Sequence, residues 1–302
     1  FRSTGSWYDV QDSSGENIRC RIKGKMRLKG LRSTNPIAVG DAVQFIRSKD
    51  GTGSIDSIEE RRNYIVRKSV NLSKETHIVA SNLDRAYLIV TIAKPRTSSG
   101  FIDRFLVTAE AYGIPTTIVF NKFDLLSSDK EALLRQEELE GIYTRAGYET
   151  MRVSAESGLG IKEFREELNS GINLLSGHSG VGKSTIINLL IPGLELKTAD
   201  VSESHSKGRH TTTFAEMFSL DADTHVIDTP GIKELGLAEI MAEELSHYFP
   251  EMRNLMGQCK FNNCQHVDEP SCAVQEAVQS GHIALSRFES YLSMMQEDDN
   301  RR

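Results

Sequence analysis

Two hydrophobic rhythms divide the chain. Ala86–Ile92, Thr116–Phe120 and Ile172–Leu175 are short, nearly unbroken apolar runs. Runs of that length read as strands buried on both faces. Stretches of helical spacing lie between them. Phe101, Phe105, Leu106 and Ala109 share one side of a helix over 101–112, and further helices are expected over 129–146, 161–168 and 185–190. A short strand fits 150–153, and two more fit 214–220 and 224–227. Strands alternating with helices predict a parallel sheet covered on both faces. Residues 1–68 differ. Short runs at 7–10, 18–22, 42–46 and 54–59 are separated by Gly15, Gly24, Gly30, Gly40, Gly51 and Gly53. That pattern predicts a small OB-like β-barrel. Residues 69–81 are polar and read as a connector, and 193–210 read as a mobile polar loop. Beyond Gly236 the chain is acidic and helical and ends in one expected helix over 273–296. The fold class is multidomain α/β, with units at 1–68, 69–236 and 237–302.

Composition adds one asymmetry. The 302 residues carry a net charge of −6, which by itself speaks against nucleic acid. Residues 1–68, however, hold 14 Lys and Arg against 8 Asp and Glu, an excess of six, so the remainder carries −12. A polyanionic partner would meet the head. There Arg21, Lys23, Lys25, Arg27 and Lys29 recur at every second position, which puts them on one face of a strand. Such a face can follow a phosphate backbone, or it can simply be solvated or guard a sheet edge. Trp7 and Tyr8 fit a core position or base stacking. No apolar run approaches the roughly 20 residues of a membrane span, and no signal peptide is visible, so a cytoplasmic protein without a membrane partner is expected. The chain opens on Phe1.

The chemistry centres on Gly177-His178-Ser179-Gly180-Val181-Gly182-Lys183-Ser184-Thr185. It fits the phosphate-loop pattern G-x-x-x-x-G-K-[ST], with a strand before it and a helix after it. Backbone N–H groups would cradle the phosphates, Lys183 would neutralise them, and Ser184 would hold Mg²⁺. This loop alone leaves ATP and GTP open. Asn121-Lys122-Phe123-Asp124 fits the guanine-selecting motif N-K-x-D. The Asp124 carboxylate can accept from both the ring N–H and the exocyclic amine of guanine, and adenine has no such pair of donors. Asn121 would brace the loops and the Lys122 stem would cover the base. Ser154-Ala155 fits the companion loop, with Ser154 also able to cap a helix. Asp228-Thr229-Pro230-Gly231 fits D-x-x-G, in which the Asp acts on Mg²⁺ through water and Gly231 senses the γ-phosphate. Thr212 fits the switch threonine that closes on Mg²⁺, with Thr211 and Thr213 as neighbours able to do the same. A conventional GTPase runs phosphate loop, switch Thr, D-x-x-G, N-K-x-D, S-A. Here N-K-x-D and S-A come first, which is a circular permutation of one fold.

Cys259-x4-Cys264-x-His266-x5-Cys272 supplies three thiols and an imidazole, a donor set suited to one tetrahedral, structural Zn²⁺. Cys20 stands apart. The permuted order, Gly208-Arg209-His210-Thr211-Thr212-Thr213 and this Cys/His spacing together resemble the RsgA (YjeQ) family of ribosome small-subunit biogenesis GTPases, over nearly the whole chain. A monomer is expected. The resemblance further implies binding to the small ribosomal subunit and its rRNA through the head and the zinc unit, late in subunit maturation, with hydrolysis of GTP to GDP stimulated by the ribosome. Ile232, apolar, occupies the place where many GTPases carry a water-orienting Gln. His210 is the candidate to orient the water instead, beside Lys183 and Thr212 as catalytic groups. Two rival readings remain at this level: a non-catalytic GTP-gated RNA-binding module, and an ATPase with a coincidental N-K-x-D.

Overall fold

The computed structural model describes residues 1–23, 36–68, 76–168, 170–196, 215–229 and 240–299. Lys25, Arg27, Lys29, His210, Thr211–Thr213, Gly231 and Ile232 lie outside the described residues.

The head contributes β1 (Arg2–Ser3), β2 (Tyr8–Gln11), β3 (Asn17–Ile22), β4 (Val43–Arg47) and β5 (Gly53–Ile58). Period-two alternation explains β3. Ile18 and Cys20 point into a small core with Tyr8, Ile37 and Ile55, while Arg19 and Arg21 face outward. Strand β5 lies parallel to β3 and antiparallel to β4. Gly53 permits that approach, since a Cβ there would stand 2.5 Å from the Cys20 sulfur.

Strands β6 (Tyr64–Lys68) and β7 (Thr76–Ser81) form an antiparallel hairpin. This corrects the connector expected over 69–81. The last six residues of that stretch, Thr76 to Ser81, form a strand. Its partner Ile65 is fully buried and belongs to the same apolar cluster as Phe105 and Leu106.

The central sheet follows the alternation closely. In chain order come β8 (Arg85–Val90), α1 (Ser99–Ala111), β9 (Thr116–Phe120), α2 (Lys130–Arg145), β10 (Glu149–Arg152), α3 (Ile161–Glu167), β11 (Gly171–Ser176), α4 (Lys183–Leu190), β12 (Glu216–Ser219) and β13 (Thr224–Asp228). Strands β10, β9, β8, β11 and β13 are parallel neighbours, in that order. Alternate residues of each strand serve opposite layers. Leu88, Val90, Ile118 and Phe120 pack against α1 and α2. Tyr87, Ile89 and Val119 pack against Phe164 of α3 and Ile186 and Ile187 of α4. Ser98 caps α1 by accepting from the Phe101 N–H at 3.3 Å, and Asp129 caps α2 by accepting from the Ala132 N–H at 3.0 Å. Strand β12 is antiparallel to β13 and passes the sheet on to β1, so head and centre share one 11-stranded sheet.

The C-terminal unit holds a 3-10 segment at Ala242–Tyr248, then α5 (Pro250–Arg253), α6 (Ala273–Gln279) and α7 (Leu285–Asp299). The single helix expected over 273–296 is therefore two. The break falls after Ser280, where Gly281 takes φ +78°, a backbone conformation that glycine adopts without cost. This unit rests on α1. Val107 joins its core with Leu245, Phe249, Val274 and Tyr291. Arg287, only 1% exposed, donates to Asp103 at 2.8 Å and to Glu251 at 2.7 and 3.1 Å. The Tyr143 hydroxyl donates to the same Asp103 oxygen at 2.9 Å.

Candidate functional site

All four nucleotide motifs with described residues lie at the C-terminal ends of parallel strands. The N-K-x-D loop follows β9, Ser154 follows β10, the phosphate loop follows β11 and Asp228 ends β13. In open α/β sheets that edge is where ligands bind.

The phosphate loop is shaped by backbone that only glycine supplies easily. Gly177 has φ +147°, and a Cβ there would meet the Ile89 carbonyl oxygen at 2.3 Å. Gly182 has φ +98°, and a Cβ would strike the Asn121 amide at 2.3 Å. Inside the loop, Lys183 is buried and donates from Nζ to the carbonyls of Gly177 at 2.8 Å and His178 at 3.0 Å. Burial lowers its pKa to about 8, with the nearby Asp228 carboxylate pulling the other way. An anionic phosphate would restore the charge that burial opposes. Ser184 and Thr185 sit in the first turn of α4, partly buried, and Ser179 is exposed. The Thr229 hydroxyl donates to the Leu175 carbonyl at 3.1 Å, tying the end of β13 to β11. Asp228, at the end of β13, is 2% exposed.

Asn121 joins the two halves of the pocket. Its Nδ2 donates to the Val181 carbonyl at 2.7 Å, inside the phosphate loop. Its Oδ1 accepts from the Ala155 N–H at 3.1 Å, in the Ser-Ala loop. Across from it the Ser154 hydroxyl donates to Asp124 and also accepts from the Ser157 N–H at 3.1 Å. Lys122 adopts φ +64° and donates from Nζ to the Lys94 carbonyl at 2.6 Å. That carbonyl belongs to a turn that sequence reasoning passed over. Thr91 donates to the Pro95 carbonyl, Thr97 pairs with Thr91, and Pro95 approaches Gly180. Its only sequence signal is the Lys94-Pro95 step. The His178 ring stacks on Phe101, centroids 3.6 Å apart.

The Cys/His cluster closes equally well. The donor atoms of Cys259, Cys264, His266 and Cys272 all lie within 4.8 Å of one another. Cys259 and Cys272 sulfurs are 3.9 Å apart, and His266 Nδ1 is 3.3 Å from the Cys272 sulfur. Around a tetrahedral Zn²⁺ with bonds of about 2.3 Å to sulfur, such spacings are the edges of the polyhedron. Burial pushes the Cys264 thiol up to about 12, so a cation is what would hold these sulfurs as thiolates. The loop is braced from outside. Glu269 accepts from the N–H groups of Gln265, Val267 and Asp268 at 2.7, 2.9 and 3.2 Å. The Tyr291 hydroxyl of α7 donates to the Gln265 carbonyl at 2.5 Å.

On the head, Arg21 lies 3.8 Å and Arg19 5.1 Å from the Trp7 ring centroid. Trp7 is half-buried beside these two guanidinium groups, whereas Tyr8 is buried in the core.

A family model described as RsgA GTPase matches residues 58–238, and one described as RsgA N-terminal domain matches residues 1–55. The chain belongs to the RsgA GTPase family. It is 52% identical over 299 residues to a Bacteroides fragilis protein named small ribosomal subunit biogenesis GTPase RsgA, covering 99% of this chain and 96% of the relative. The crystal structure of YjeQ from Thermotoga maritima matches with TM-score 0.77 at 38% identity, over 99% of this chain and 96% of that one. YloQ, described as a circularly permuted GTPase, matches with TM-score 0.73 at 27% identity, over 100% of this chain and 94% of that one. The RsgA fold, the permutation and a GTP-hydrolysing activity thus agree with the order of motifs along the sheet edge.

Proposed function

We propose that this RsgA-family GTPase binds the small ribosomal subunit and its rRNA, assists late maturation of that subunit, and hydrolyses GTP to GDP faster when bound to it. The observation that carries the nucleotide half is the Asn121 bridge, which fastens the phosphate loop to the guanine-reading loop. Support for the ribosomal half is the full-length likeness to a relative named for small-subunit biogenesis. In this reading Asp124 reads the guanine edge, Lys122 covers the base, and the Ala155 N–H faces the guanine carbonyl. The loop from Gly177 to Gly182 and Lys183 hold the phosphates, Ser184, Thr212 and Asp228 serve Mg²⁺, and Gly231 senses the γ-phosphate. His210 orients the attacking water. One Zn²⁺ on Cys259, Cys264, His266 and Cys272 holds the C-terminal loop. The Arg19, Arg21 and Trp7 face of the head meets rRNA, its cations on phosphates and its ring on a base. The protein works as a cytoplasmic monomer, and units 1–68, 69–236 and 237–302 act as RNA-binding head, GTPase and zinc domain.

The test is GTP hydrolysis with and without purified small subunits, with ATP as control and Lys183→Ala as the phosphate-loop control. Stimulation specific for GTP and lost in Lys183→Ala is expected. GTP binding without any stimulation by ribosomal particles would move the function to a GTP-gated binding module. His210→Ala separates the water-orienting role: hydrolysis should fall while GTP affinity stays unchanged.

A further inference from the structure

Helix α1 is buried on two opposite sides. Ile102, Phe105, Leu106 and Ala109 pack on the central sheet, while Val107 enters the core of the C-terminal unit. Positions 103, 107 and 110 are spaced by four and three residues and so share a face. Asp103 is the fully buried partner of Arg287, and Glu110 accepts from Arg253 at 2.8 Å. That face is the landing platform of α5 and α7. The opposite end of the chain of contacts is the nucleotide site. Phe101 lies two residues before Asp103, about 3 Å along the helix axis, and its ring stacks on His178. The carbonyl of His178 in turn accepts from Lys183 Nζ at 3.0 Å. Arg287 is held on several sides at once. It donates to Asp103 and Glu251, and its guanidinium lies 4.6 Å from the Phe249 ring centroid.

Buried, paired charges of this kind accept few alternative arrangements, because losing a partner leaves a charge unmatched in a dry interior. A small shift of α1 must therefore be answered by α5 and α7. Resting on the reading that phosphates occupy the Gly177–Lys183 loop, we infer that α1 couples phosphate-loop occupancy to the docking of the C-terminal unit, through the Phe101–His178 stack at one end and the Asp103–Arg287–Glu251 knot at the other. The route differs from any pull through the D-x-x-G segment. It touches the loop through Lys183 and His178, so it responds to an occupied loop whether the nucleotide is GDP or GTP. A route through Gly231 responds to the γ-phosphate alone. Linkage makes the effect reciprocal: a nucleotide that tightens docking is itself bound more tightly by a docked unit.

The test is amide hydrogen exchange of residues 285–299 and 242–253 in the full, zinc-loaded chain, without nucleotide, with GDP, and with a non-hydrolysable GTP analogue. Exchange should slow about fivefold or more with either nucleotide, the lower end of ordinary coupling. Phe101→Leu, which keeps the helix core apolar, should abolish that slowing. Asp103→Asn, which keeps shape and removes charge, should weaken GDP binding by the same factor by which GDP slows exchange in the parent protein. Identical exchange with and without GDP overturns the proposal. So does undiminished slowing in Phe101→Leu, or unchanged GDP affinity in Asp103→Asn. Slowing by the GTP analogue alone also overturns it and assigns the coupling to the γ-phosphate segment. Absence of ribosomal stimulation leaves these readouts intact, so failure of the functional reading is seen separately.

Discussion

The nucleotide pocket and the Cys/His loop are both clusters of polar groups, but they are held in different ways. The pocket stands on the ends of buried strands. Its shape is set by Gly177 and Gly182 and by the two hydrogen bonds of Asn121, all groups of the protein itself. The Cys/His loop has little regular structure between Gln258 and Ser271. Its bracing comes from Glu269 and Tyr291 at its margin, and the four donors converge on a centre that a cation would fill. A preformed pocket should lose function without losing its fold. A ligand-centred loop should lose its fold when the ligand leaves.

The largest separation comes from Lys183→Ala. Removing the buried charge should lower GTP turnover by about 10²–10³, the scale for deleting one preorganised electrostatic stabiliser, while the thermal transition of the GTPase unit is kept. Single-turnover hydrolysis beside calorimetry measures both. Next is Cys264→Ser or removal of zinc by a strong chelator. Either should expose the amides of 258–272 to rapid exchange and abolish the melting of the C-terminal unit, with GDP affinity changed only by the factor carried through α1. A wholesale loss of GDP binding would erase the distinction. Asn121→Ala comes third. It breaks both ties of the bridge, and at about 1–3 kcal/mol for a buried group left without its partner nucleotide affinity should fall roughly 10- to 100-fold, read by titration of a fluorescent guanine nucleotide. The smallest effect is on pH. Lys183 has a pKa lowered to about 8 when phosphate is absent, and a bound phosphate raises it. Binding then takes up a proton once the free lysine is neutral, so affinity is flat below pH 8 and falls as pH rises above it, by up to about tenfold per unit. Affinity that stays flat from pH 7 to 9 would show that Lys183 keeps its charge in the empty loop.

These two regions were also unequally legible. Strands β8, β9, β11 and β13 follow from apolar runs because burial on both faces leaves a local mark, and the observed ends differ from the expected ones by a few residues or fewer. The phosphate loop and N-K-x-D carry their chemistry in adjacent residues, so spacing alone finds them. The Asn121 contact to Val181 is 60 residues long and was readable only as a motif's customary role. Arg287 and Asp103 left no mark at all: each looks like a surface charge until folding brings them together from 184 positions apart. The β6–β7 hairpin was hidden by the polar residues 69–75 at its centre, which outweighed the apolar pairs on either side. Gly281 was visible, but a single glycine is compatible with a continuing helix, and the positive φ that ends α6 is a tertiary outcome.

The junction of β1 with β12 has a bearing on synthesis. Arg2 reaches Glu216 across 214 positions, so β1 waits during synthesis for one of the last strands of the central sheet. The permutation imposes a similar delay within the pocket, since the guanine-reading loop after β9 emerges well before the phosphate loop after β11. A nascent chain can therefore assemble the base-reading half and the inner core of the head early. It closes neither the shared sheet nor the phosphate cradle until β12 and β13 have appeared. Contacts so distant in sequence form slowly. The edge of β1 that later meets β12 is meanwhile open to pairing with other chains, a hazard that lasts until translation has passed Ser219.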